Sequence, residues 1–274
     1  MSDQSLLWQR GGRRWRVAMD DPIELAVALD FEGQQANAFG LEDARSEAVE
    51  AGDFVGDTRR GGSVNCERLT VIPHANGTHT EGVGHISEER VWVADMAPAP
   101  LYLAALLTVR CERLGDIGES YGGKSEDSDW VVSARGLASV MEDMDPSPAI
   151  DAVILRVEAP SFEAGGRYGD QNPPYLSDEA VGWLRRRGIE HLLVELPSVD
   201  RGDDGGALAS HHAFFGHRRG EAVREASRGR TITEMIAVPD AVEDGLYGLS
   251  LRFGRIQSDA AASRPVIYGV RQVG

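Results

Sequence analysis

The chain has 274 residues, 44 acidic and 28 basic side chains, a formal net charge of −16, seven histidines and two cysteines. That acid excess argues against a general nucleic-acid binder, which needs a basic face for phosphates. No segment approaches the roughly 20 apolar residues of a membrane span. Cys66 and Cys111 lack CxxC spacing and are too few for a disulfide framework. With no apolar run of signal-peptide length over residues 1–17, the expected setting is the cytoplasm with reduced thiols.

Length admits one large domain or two modest ones. No linker interrupts the chain, so residues 1–274 read as a single α/β domain. Trp15–Ala18 reads as a short strand stopping at Asp20-Asp21-Pro22, with a second strand over Ile23–Leu29. Gly33–Gly62 is polar and glycine-dotted, an excursion with one helical turn expected around Glu42–Ala51. Val64–Ile72 reads as a strand entering the histidine-bearing run 73–85, and Pro100–Val109 as either strand or helix. Gly115–Asp129 reads as a surface loop and Ser133–Asp143 as a helix with Leu137, Val140 and Met141 on one face.

The second half is more regular. Ala152–Val157 is β-branched and apolar, a buried-strand pattern. Pro160–Pro174 is a loop. Ser177 then caps a helix carrying Val181, Trp183 and Leu184 and ending near Gly188, and His191–Leu196 is the next strand. Residues 152–196 thus form one βαβ unit, expected to be right-handed. Ser210–Phe215 starts a short helix, Ile232–Val238 and Tyr247–Phe253 are strands, and Val266–Val270 closes the chain. Cys66 is expected as a small buried residue, and His191 at the surface or at a strand edge.

His74, His79 and His85 fall within twelve residues, with Glu81 among them. In an extended chain side chains alternate, so residues 79, 81 and 85 share one face. His74 has the opposite parity, and a turn at Asn76-Gly77 is needed to bring it round. Converging imidazoles and a carboxylate suit Zn²⁺, or Mn²⁺ as the alternative, and such an ion acidifies water and polarises a carbonyl. The same residues also read as polar loop positions around a glycine turn.

Gly77-Thr78-His79-Thr80-Glu81-Gly82-Val83-Gly84-His85 resembles the signature His-x-Gly-Thr-His-x-Asp-x-x-x-His of the cyclase-like metal-dependent hydrolases, which include bacterial kynurenine formamidases and isatin hydrolases. Leu196-Pro197-Ser198-Val199-Asp200, the helix start Ser210-His211-His212 and Thr233-Glu234-Met235 are similar to later family segments, in the same order, over about residues 60–255. The resemblance implies a cyclase-like (swivelling β/β/α) domain with a mixed sheet and flanking helices, a small-molecule substrate and a homodimer. It implies metal ligation by His79, Glu81, His211 and Glu234, with His85 as the general base. Asp200 is expected either to hydrogen-bond a ligand histidine or to cap a turn.

The chain departs from the pattern in several places. The first signature histidine is replaced by Ala75, so His74, one residue earlier, is the candidate replacement ligand. Glu81 stands for an aspartate and is longer by one methylene, about 1.5 Å. Val83 replaces a proline, and an arginine-rich insertion spans Arg218–Arg230. The implied activity is metal-dependent hydrolysis of an amide, formamide or lactam C–N bond; the alternative is a non-catalytic or ligand-binding member of the same fold with a decayed metal site.

Overall fold

A computed structural model describes residues 5–96, 98–142, 149–169 and 171–273. Among these residues the main sheet has ten strands. In chain order they are β1 (Ser5–Arg10), β2 (Arg13–Glu24), β3 (His79–Glu81), β4 (Tyr102–Arg110), β5 (Ala152–Glu158), β6 (His191–Val194), β7 (Thr231–Glu234), β8 (Gly245–Ser250), β9 (Ala260–Ala262) and β10 (Val266–Val273). Their spatial order is β1-β2-β10-β8-β4-β5-β6-β7-β3-β9. The four central strands β4, β5, β6 and β7 run parallel, and both flanks pair antiparallel. This is a mixed α/β domain with a large sheet and few helices.

The central strands are apolar on both faces, as parallel strands covered on both sides must be. Along β5, Val153, Leu155 and Val157 point to one core and Ala152 and Ile154 to the other. The first core is completed by helices α1 (Ala134–Glu142), α2 (Asp178–Arg186) and α3 (Ala209–Phe215), which contribute Leu137, Val181, Leu184, Phe214 and Phe215. Ser177 caps α2 by accepting from Ala180 N, and its hydroxyl donates to Glu119. The last residue of the expected helix 133–143, Asp143, lies outside the described residues.

Several local expectations are corrected. Trp15–Ala18 and Ile23–Glu24 belong to one twelve-residue strand, β2, that runs through Pro22. Pro22 faces Tyr268, where the register with β10 shifts, so the missing N–H falls at an irregularity. The helical turn expected at Glu42–Ala51 is two short strands, Arg45–Ala48 and Glu50–Ala51; the first is captured by pairing with Glu67–Thr70. Pro100–Val109 resolves as strand β4, because parallel pairing with β5 over Ala104–Arg110 and antiparallel pairing with β8 over Tyr102–Leu106 satisfy its backbone. The Gly115–Asp129 loop is not simply a surface feature. Tyr121 and Asp129 are buried, and Asp129 accepts from Tyr175, Asn172 and Arg201. Cys66 is exposed and Cys111 buried, both as free thiols. His191 is buried at the start of β6, bonded to Thr231 Oγ1 and packed on the Tyr102 ring.

Candidate metal centre

The site forms where β3 crosses the end of β7. In the antiparallel register Glu234 lies opposite His79, and Ile232 opposite Glu81. Directly opposed residues project to the same face, so His79 Nε2 comes within 3.4 Å of Glu234 Oε2. Alternation along β3 puts Glu81 on that face and sends Thr80 to the other, where it bonds Thr233 Oγ1. On its other side β3 faces only alanines, Ala260 opposite Glu81 and Ala262 opposite His79, which leaves room for the larger side chains. Residue 235, just past Glu234, is Met235 in left-handed conformation (φ 56°), and its carbonyl accepts from Thr78 Oγ1. Backbone held in this region by its surroundings is frequent at functional sites.

His211 arrives from α3. Asp200 receives four donors: Ser210 N and Tyr121 Oη on Oδ1, and His211 N and His211 Nδ1 on Oδ2. The carboxylate therefore anchors the start of α3 and turns the opposite nitrogen of His211 inward, where Nε2 lies 2.8 Å from Glu81 Oε1 and 3.6 Å from Glu234 Oε1. Of the two roles considered for Asp200, the structure shows the bond to the histidine. Val199 N, in the same loop, donates to Glu234 Oε1. His79 is oriented in the same manner, its Nδ1–H donating to Gly77 O at 3.0 Å. Gly77 has φ 127°, a conformation that L side chains rarely adopt.

His74 reaches the cluster despite its parity. The chain turns at residues 73–75, with Ala75 N and Asn76 N both bonded to Ile72 O. Ala75 is buried and its carbonyl accepts from Ala38 N. His74 Nδ1 lies 3.2 Å from Glu81 Oε2, and His85 Nε2 lies 3.8 Å from the same oxygen. The two rings stack at 4.2 Å between centroids. Their outer nitrogens share Asp259 Oδ2, at 2.8 Å from His74 Nε2 and 3.2 Å from His85 Nδ1. Asp259 immediately precedes β9, whose pairing with β3 delivers it. Sequence reasoning missed this residue, which lies 174 positions beyond His85 in no recognisable motif.

All six candidate residues thus lie in one cluster. His79, Glu81, His211 and Glu234 are buried, while the side chains of His74 and His85 are about a quarter exposed. Two donor groups share Glu81: His74, Glu81 and His85 on the open side, and His79, Glu81 and Glu234 within. His79 Nε2, His211 Nε2 and both Glu81 oxygens are buried without an aligned hydrogen bond among the described residues. His211 Nε2 and Glu81 Oε1 face each other at 2.8 Å without that alignment. Buried polar atoms are normally paired, so a set of nitrogens and oxygens aimed at one another fits a divalent cation among them.

The electrostatics agree. Burial pushes the Glu81 carboxyl up, but the His211 and His85 imidazoles outweigh it and hold it well below the usual carboxylate range. Burial lowers His211, yet Glu81 and Asp200 raise it well above an ordinary histidine. Burial likewise lowers His74, and the neighbouring Asp259 and Glu81 carboxylates overcome this and lift it to about 10. The carboxylates thus create a demand for positive charge that a cation or protons must meet.

Tyr175 is buried structure, its hydroxyl donating to Asp129. A cavity of about 340 Å³ lined by Phe39, Tyr168, Pro174, Pro197 and Ser198 meets the cluster at Asp200.

A family model described as "Putative cyclase" matches residues 14–201. The chain belongs to this cyclase family. It is similar to a kynurenine formamidase of Bacillus cereus, 27% identical over 207 residues that cover 75% of this chain and 81% of that one. Isatin hydrolase A from Labrenzia aggregata, bound to benzyl benzoate, superposes with a TM-score of 0.56 at 16% identity, covering 90% of this chain and 93% of that one. A solved structure described as a novel cyclase gives 0.57 at 11% identity, over 91% and 88%. The structural likenesses carry the cyclase fold. The matched stretch holds His74, His79, Glu81, His85 and Asp200 and stops before His211, Glu234 and Asp259.

Proposed function

We propose that this cyclase-family chain is a metal-dependent hydrolase of a small molecule, acting on an amide, formamide or lactam C–N bond. The observation that carries the reading is the buried Glu81 carboxylate, unbonded at both oxygens and faced by nitrogens of His74, His79, His85 and His211. His79, Glu81, His211 and Glu234 would hold the ion from within, and His74 from the open side. The mixed nitrogen and oxygen donors suit Zn²⁺ first and Mn²⁺ second. A bound divalent cation supplies Lewis acidity, which lowers the pKa of water and polarises a carbonyl.

The chain's own residues do the remainder. His85 is the general base: its Nδ1 is anchored on Asp259 and its Nε2 faces the cluster on the solvent-accessible side, where an imidazole can take up a proton and return it to a leaving nitrogen. The buried floor of His79, Glu81, His211 and Glu234 keeps bulk water from the inner face. The kynurenine formamidase relatives support a formamide-type substrate. The reading carries with it a homodimer, implied by the family resemblance, and a cytoplasmic setting, supported by two free thiols.

Metal analysis of the purified protein tests the proposal. Stoichiometric Zn²⁺ or Mn²⁺, falling sharply in His79→Ala, together with metal-dependent turnover in a screen of N-formylkynurenine, isatin and small cyclic amides, is the expected result. Absence of metal, with no rise in melting temperature on adding Zn²⁺, would overturn it.

A further inference from the structure

Asp259 is a carboxylate at the cluster that lies in neither the signature nor any of the later family-like segments, and it falls outside the family match. We propose that Asp259 is a positioning residue, which fixes His74 and His85 as a pair facing Glu81 and thereby lets His74 take the place left by Ala75. The inference rests on the metal-dependent reading above.

Three observations support it. First, Asp259 Oδ2 lies within hydrogen-bond distance of both rings, 2.8 Å from His74 Nε2 and 3.2 Å from His85 Nδ1. A carboxylate oxygen only accepts, so each ring donates an N–H to it. In a neutral ring the opposite nitrogen then carries the lone pair, and those nitrogens, His74 Nδ1 and His85 Nε2, are the ones turned toward Glu81 Oε2. Second, Asp259 is itself tied down. Its carbonyl accepts from Gly82 N, Ser258 Oγ bonds its other oxygen, and Ala260 pairs opposite Glu81. The carboxylate is thus carried on backbone that pairs with the ligand-bearing strand. Third, the rings stack at 4.2 Å, so fixing one restrains the other. His74 has no comparable anchor on its own segment: its ring nitrogens face Asp259 and Glu81.

The test is competition of the cation-free protein with a chromophoric chelator for Zn²⁺. Partners of this kind change metal affinity by about 10- to 100-fold when removed, so Asp259→Ala should weaken binding by that factor. Asp259→Asn, which keeps an accepting oxygen without the charge, should fall between. The loss should be smaller when His74 is already alanine, because the residue acts through that ring; a merely structural role would add in full. The Asp259 side chain is 37% exposed, so truncation leaves the core packing in place, and the asparagine variant serves if alanine perturbs folding. Affinity of both variants within about twofold of wild type, or an equal loss in the His74→Ala background, would overturn the inference and leave the hydrolase reading standing. Wild-type protein that binds no Zn²⁺ would overturn both.

Discussion

Asp200→Asn gives the sharpest test of how the buried half of the cluster is held. Asp200 accepts from Ser210 N at 2.6 Å and Tyr121 Oη at 2.7 Å on one oxygen, and from His211 N at 3.1 Å and His211 Nδ1 at 2.5 Å on the other. An asparagine must place its NH₂ at one of these positions. On the His211 side it would face the His211 backbone N–H, a fixed donor, and drive the ring to the tautomer that carries its proton on Nε2. On the Ser210 side Tyr121 can rotate, accept, and donate onward to Asp204, 3.2 Å away, which leaves only Ser210 N unsatisfied. The second arrangement costs less. One buried unpaired N–H costs about 1–3 kcal/mol, and the bond to His211 loses about 1 kcal/mol of charge assistance, giving about 2–4 kcal/mol in total. That is less than a typical folding stability of about 5–15 kcal/mol, so the variant should fold with a lowered urea midpoint and an unchanged m-value. His211 keeps an accepting oxygen at Nδ1 but loses the negative charge behind the ring, so Zn²⁺ affinity should fall about 10- to 100-fold. Urea titration and chelator competition measure the two effects. Stability unaltered and affinity within about twofold of wild type would refute the claim that Asp200 holds His211.

Two further outcomes are expected. If His74 stands in for the ligand lost at Ala75, His74→Ala should reduce metal content about as much as His79→Ala; unchanged content refutes that role. A different region yields a pH test. Burial lowers His191 to about 4, below the ordinary value of about 6.5. Protonation therefore favours the unfolded chain. The contribution is fully present above about pH 6.5 and is lost as pH falls toward about 4, amounting to about 3 kcal/mol at the limit. Urea titrations near pH 7 and near pH 4 should show a smaller stability loss for His191→Gln than for wild type, and an equal loss would refute the burial argument.

Much of the inner site is legible in the sequence. Strand alternation predicts that His79 and Glu81 share a face, and β3 keeps that parity. Ser177 and the apolar run 152–157 announce α2 and β5 by local chemistry, and both form as expected. The failures have a common origin. Glu42–Ala51 reads as helix until Glu67–Thr70 supplies a pairing partner. His191 reads as surface until the Tyr102 ring covers it.

By itself the sequence singled out the candidate residues near the signature, and showed that His74 stood one place out of step. Only the tertiary structure decided whether that misstep mattered. The turn at 73–75 swings His74 inward, and β9, arriving from the far end of the chain, sets Asp259 behind it. Local periodicity records how neighbours along one strand face. It carries no information about which distant strand will pair beside them, and a carboxylate 185 positions away joins His74 only through that pairing.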